Sequence, residues 1–243
     1  MNRKEDSSAI EWVQKVWGKL LWGLFGMIII YPIWPSFFPY HPIKDFWETT
    51  GNLTEWFIGS KYLFIWAVFW GLVGLFKNLG RNISNSSFTE KIQQGFRNSL
   101  YAGFFEEILF RWILLYGIMI TLYIGNWFLG GFLGEDWGVI QWLHNLIKAP
   151  IANFFTFGYL ESEINHSLWY AGAAVIVTNG LFRDGHKYQG WFGWVNSWFG
   201  GMFLFYIMFN YGLIPAIIIH FSYNMTLYLF EAFVSLFNRR SIF

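Results

Sequence analysis

The sequence contains no cysteine. Disulfides, a thiol nucleophile and thiolate metal sites are therefore excluded, and any hydrolytic chemistry must come from Glu, Asp, His, Ser, Thr or Asn. Charge is scarce as well: 13% of the 243 residues are Asp, Glu, Lys or Arg, about half the share of a soluble domain. The formal net charge is +1, which gives no electrostatic basis for binding nucleic acid or a strongly acidic substrate. No internal repeat and no soluble domain is legible.

What is present is apolar surface. Hydrophobic residues make up 55% of the chain and aromatic ones 24%, including 16 Trp and 13 Tyr, as suits a protein with aromatic belts at both bilayer interfaces. We read an all-α, polytopic membrane bundle forming a single domain over residues 1–243. A short interfacial helix is expected over Ile10–Lys19. Six spans follow, near Leu20–Phe38, Trp56–Phe76, Leu100–Ile124, Ser167–Phe182, Trp191–Phe209 and Gly212–Phe237. The count becomes eight if the mixed region Gly125–Asn165 adds a pair. Tyr40–Glu55 reads as a polar loop, and Ser87-Phe-Thr-Glu90 as a capping box that starts a helix. Lys and Arg concentrate in the segments that place both termini in the cytoplasm.

The third span carries the anomaly. Glu106, Glu107 and Arg111 interrupt an otherwise apolar run, although an ionised residue near mid-span costs about 2.5–3.5 kcal/mol even on mild insertion scales. Glu107 and Arg111, four apart, can neutralise each other on a helix, whereas Glu106 points about 100° away. Two readings stand from this stretch alone: an ion cluster that pins helix packing, or a catalytic carboxylate. Further along, His186 ends the fourth span behind Phe182. His220 and Asn224 lie four apart in the last span, on one face, able to act on one ligand atom. Singly, such residues are ordinary interface or packing groups. Their joint occurrence in a chain this poor in intramembrane polar groups favours one shared site.

Glu106-Glu107-x-x-x-Arg111, Phe182-x-x-x-His186 and His220-x-x-x-Asn224, in that order, resemble the three motifs of the CPBP intramembrane proteases. That group includes the type II CAAX prenyl endopeptidases and the Abi-type proteins. The likeness covers roughly residues 95–230, a candidate catalytic core. Arg183 and Asp184 depart from it, since members usually carry small or apolar residues between the Phe and the His; the two either pair or line a more polar cavity. The resemblance implies a helical bundle with a water-filled cavity that hydrolyses peptide bonds near the membrane surface.

By that resemblance, and by the needs of amide hydrolysis, Glu106 is the base that activates water. His186 holds that water or shuttles its proton, and His220 and Asn224 donate to the oxyanion. Glu107 and Arg111 form the supporting pair, with Phe182 beside them. The metal-free account is favoured, with no cofactor. Its competitor is a zinc triad of Glu106, His186 and His220 with an open fourth position. The expected partners are the lipid bilayer and a membrane-associated protein or peptide substrate. A different class of function is also open: a non-catalytic membrane binding or immunity protein that keeps the fold.

Overall fold

The computed structural model describes residues 17–78, 87–134 and 138–239, so the interfacial helix expected over 10–19 lies mostly outside them. The described residues form helices and connecting turns, with no strand among them. The first helix, α1 (Trp17–Ile33), stops short of the expected Phe38. Trp34 precedes Pro35, whose ring disfavours helical backbone at the preceding residue, and Trp34 adopts φ −138° and ψ 70°.

The chain then folds inward instead of leaving as a polar loop. Phe37, Phe38 and Phe46 are buried. Phe37 stacks on Tyr170 at 5.1 Å, and Phe38 packs on Tyr116 at 4.9 Å. Three side chains from the bundle anchor this segment by its backbone. Tyr170 donates to the Phe37 carbonyl at 2.6 Å, Tyr116 to that of Tyr40 at 2.7 Å, and the Trp112 indole to that of Pro42 at 2.6 Å. A buried turn would otherwise carry unsatisfied carbonyls.

The second span is broken. Helices α2 (Leu53–Gly59) and α3 (Lys61–Asn78) meet at Ser60 with a bend of 61°. The Ser60 hydroxyl donates to the Trp56 carbonyl at 2.8 Å, a local bond that competes with helix continuation. Asn52 and Glu55 close a capping box that starts α2. Leu53 and Ile58 are exposed on α2, as expected of a short helix lying in the interface.

A 41-residue rod, α4 (Phe88–Phe128), runs through the molecule. The expected capping box at Ser87 and Glu90 opens it, holding two orphan amides of the first turn. Over Ala102–Ile113 its hydrogen bonding becomes π-helical. Such wide turns appear where a helix must redirect functional side chains, and this one contains both glutamates and Arg111. Gly103 lets α4 lie close to the last helix, because a Cβ there would come within 3.0 Å of the Ile217 carbonyl oxygen.

Short helical turns fill 139–164. Then come α5 (Trp169–Gly185), α6 (Gly190–Tyr211) and α7 (Leu213–Arg239). Gly212 makes the sharp turn from α6 to α7 at φ +105°, and a side chain there would strike the Glu48 carbonyl. Among the described residues, three stretches are long and apolar enough to cross a bilayer: Phe88–Phe128, Lys187–Tyr211 and Leu213–Leu236. The bent α2 and α3 pair makes a fourth if taken as one span. Helix α5, with 17 residues, reaches about 26 Å at 1.5 Å per residue, short of a typical hydrocarbon core of about 30 Å.

Candidate active site

Three elements meet around Glu106: the π-helical part of α4, the C-terminal end of α5 and the middle of α7. Glu107 and Arg111 are fully buried there. Arg111 Nη1 lies 3.2 Å from Glu107 Oε1, the pair expected from their spacing. The same carboxylate oxygen accepts a bond from His220 Nδ1 at 2.7 Å, a contact the spacing did not suggest. The other end of the guanidinium is held by α6. Arg111 Nη2 donates to the Gly201 carbonyl at 3.3 Å, and the Phe182 ring covers the guanidinium carbon at 4.3 Å. Stacking on an aromatic face suits a planar, weakly hydrated cation.

Phe182 sits at the centre of this packing. Its ring centroid is 4.6 Å from that of His186, 5.2 Å from Phe110 and 6.2 Å from His220. Gly201 makes room for it. A Cβ at Gly201 would overlap Asn179 Oδ1 and come within 2.9 Å of the Phe182 ring.

The two imidazoles are oriented in the same sense. His186 follows the last residue of α5, and its Nδ1 bonds the Phe182 carbonyl at 2.8 Å, filling one of the acceptors left at a helix C-terminus. A carbonyl or carboxylate can only accept, so Nδ1 of both His186 and His220 carries a proton. In the neutral rings Nε2 is then a lone-pair acceptor. Both Nε2 atoms face Glu106 Oε2, at 4.0 Å from His186 and 3.8 Å from His220. Glu106 Oε2 is buried and bonds to nothing among the described residues, while the Glu106 side chain as a whole is 27% exposed. Separations near 4 Å between polar atoms are too long for direct hydrogen bonds and fit a bridging water.

Asn224 lies one helical turn beyond His220 on α7 and is partly exposed. Its side chain makes no hydrogen bond among the described residues and is free to donate to a ligand. Arg183 and Asp184 pair with each other, Arg183 Nη2 lying 2.9 Å from Asp184 Oδ1. The Trp194 indole donates to the same oxygen at 3.1 Å, and Lys187 Nζ stands 3.4 Å from Oδ2. Arg183, Trp194 and Lys187 thus converge on one carboxylate. Gly201 and Trp194 are neighbours of the candidate site that the three motifs did not reveal.

For zinc, ligand atoms about 2.0–2.1 Å from the ion in a tetrahedron stand about 3.3 Å apart. The Glu106 to His186 and Glu106 to His220 separations are wider. Among the described residues no group of three or more His, Asp or Glu is arranged to hold a metal ion.

A sequence model of the type II CAAX prenyl endopeptidase Rce1-like family matches residues 88–226, more than half of the chain and overlapping the stretch that carries the three motifs. The protein belongs to this Rce1-like family. No curated protein and no solved structure matches it. Family membership and the apolar helices together make the chain an integral membrane protein of a protease family, acting on a peptide substrate at the membrane. In this Rce1-like chain all three motifs fall inside the matched residues, and the match begins one residue after the capping Ser87.

Proposed function

We propose that the protein is an intramembrane endopeptidase that hydrolyses a peptide bond near the membrane surface, with Glu106 activating the water. The observation that carries this reading is the pair of anchored imidazoles whose Nε2 atoms both face the unpartnered Oε2 of Glu106. A water between them gives a proton to Glu106 as its oxygen attacks the substrate carbonyl. The carbonyl π electrons move onto oxygen. His220 and Asn224 stabilise that oxyanion by donation from one face of α7. Nδ1 of His220 is committed to Glu107, so donation from Nε2 requires the doubly protonated ring; that ring enters the reaction with both protons and leaves with both, sharing the Glu107 carboxylate with Arg111. As the C–N bond breaks, the amine takes up the proton first removed from water, passed from Glu106 through His186. Glu107 and Arg111 hold the ring and the helix in place, and Phe182 packs against both histidines and the guanidinium.

This mechanism uses no metal and no cofactor. Zinc on Glu106, His186 and His220 is the alternative, and the 4.0 and 3.8 Å separations from Glu106 to the two imidazoles speak against it. We also place six spans in the membrane, with α1 and α5 crossing as short helices and both termini cytoplasmic, on the distribution of Lys and Arg. The experiment that tests the activity compares membrane-protein termini in cells carrying the wild type and Glu106→Gln. New termini that vanish in the variant support the protease. Identical termini, with the biological effect retained by both, favour a binding or immunity protein.

A further inference from the structure

We infer that a cleft on the side of the bundle away from Glu106 is a binding site for one acyl chain of an anionic phospholipid, with Lys61 taking its phosphate. The cleft has a volume of about 510 Å³, in the usual range for a small-molecule site. Its walls include Tyr62 and Trp66 from α3, Gly200 and Phe203 from α6, and Phe155 and Phe157 from the connection before α5. None of its lining residues belongs to the catalytic set. Thr156 also lines it, but its hydroxyl is turned to the Ala152 carbonyl at 2.8 Å. A hydrocarbon chain therefore meets a mainly apolar wall there, interrupted by the tyrosines Tyr62, Tyr159 and Tyr206, whereas a polar occupant would find few partners.

Two features of the backbone keep the space open. Gly200 is buried, yet a Cβ built on it would meet no atom within 4 Å. Its neighbour Gly201 is packed tightly on the opposite side against Asn179 and Phe182, so α6 separates the cleft from the candidate active site. At the rim, Phe157 has φ +52° and Gly158 φ +75°. Left-handed backbone at a bulky aromatic residue is strained and persists where the surroundings require it. Here it holds the Phe157 ring at the lip of the cleft, 85% exposed.

The charge lies at one end. Lys61 begins α3 at the 61° corner with the interfacial α2, and its Nζ sits 5.1 Å from the centroid of the cleft residue Tyr62. A lysine at headgroup level above a hydrocarbon cleft matches a phospholipid, which joins an anionic phosphate to an apolar chain.

The test measures phospholipid retained by the full-length protein after exchange from native membranes into detergent, by native mass spectrometry and phosphorus analysis. Wild type is expected to retain bound anionic phospholipid. Gly200→Phe, whose Cβ meets no atom within 4 Å and whose ring enters the cleft, should lose it while its melting temperature in lipid-free detergent stays unchanged; Gly200→Leu serves if the phenylalanine variant is poorly expressed. Lys61→Ala should weaken binding of added phosphatidylglycerol by about fivefold. Wild type stripped of all phospholipid, or Gly200→Phe retaining as much as wild type, would overturn the inference. So would a Gly200→Phe variant with full lipid content and a raised KM for peptide, because that result makes the cleft a substrate channel.

Discussion

Glu107 receives the His220 ring at 2.7 Å and the Arg111 guanidinium at 3.2 Å on one and the same carboxylate oxygen. A single buried glutamate thus fixes a supporting ion pair on α4 and a proposed catalytic imidazole on α7. The adjacent Glu106 takes no part in either contact.

That division separates the effects of two conservative changes. Glu107→Gln leaves the Arg111 charge buried without its counter-charge, and breaking such a pair costs about 3–5 kcal/mol. The expected outcome is low yield and a strongly lowered melting temperature. Glu106→Gln should fold with a wild-type melting temperature and show no cleavage. Thermal denaturation of both purified variants checks the contrast.

Removing either oxyanion donor should be costly to rate and mild for the fold. His220→Ala and Asn224→Ala are each expected to lower kcat by about 10²–10³. Because Asn224 makes no hydrogen bond among the described residues, the Asn224→Ala protein should also keep its full stability. Cleavage of a fluorogenic peptide reporter, alongside a melting curve, reads both quantities. Wild-type turnover by either variant would remove it from the mechanism.

Gly201→Ala places a methyl group against Asn179 Oδ1 and the Phe182 ring. Overpacking of this kind costs about 1–3 kcal/mol, and it displaces the ring that covers Arg111 and packs on both histidines. We expect a lowered melting temperature together with reduced kcat. Gly200→Ala, one residue earlier with open space in front of it, should change neither, which makes it the matched control.

His144 is buried in the connection before α5, with Nε2 donating to the Ile164 carbonyl at 3.2 Å. Burial lowers its affinity for a proton; the Ile164 bond opposes that, and the charge of Lys148 adds to it, leaving it below the ordinary value of 6.5. In the unfolded chain the ring protonates near pH 6.5, so below that pH the unfolded state holds more protons and stability falls with acidification. The contribution is complete above about pH 6.5 and is lost as the pH drops toward the lowered folded value. Melting curves at pH 7.5 and 5.5 should show a drop for wild type that His144→Gln reduces.

Metal removal is the remaining discriminating test. Prolonged dialysis against a chelator should leave peptide cleavage at its starting level. Loss of activity restored by zinc would replace the proposed mechanism with the triad of Glu106, His186 and His220.

The contents of the candidate site could be read from the sequence because its motifs are spaced at helical intervals. Four-residue spacing linked Glu107 to Arg111 and His220 to Asn224, and scarcity of polar residues in apolar runs marked which groups needed a reason. Contacts between helices have no such signature. The bond from His220 to Glu107 joins residues 113 apart, and the Arg111 bond to Gly201 spans 90. The breaks were also hidden in part. Hydropathy runs smoothly through Ser60, where one hydroxyl bond accompanies a 61° bend. Leu20–Phe38 reads as one span and Tyr40–Glu55 as a polar loop, because a local pattern cannot register carbonyls caught by Trp112, Tyr116 and Tyr170.

That inward fold has a further consequence for a hydrolase embedded in a bilayer. Phe37, Phe38 and Phe46 pack beside Tyr116 and Tyr170, and Tyr116 lies ten residues along the same rod from Glu106. Lifting this segment away would strip three carbonyls of their donors at once, a penalty of about 1–3 kcal/mol for each. The rod that carries the candidate base is thereby clamped from the side by a part of the chain with no residue in the site.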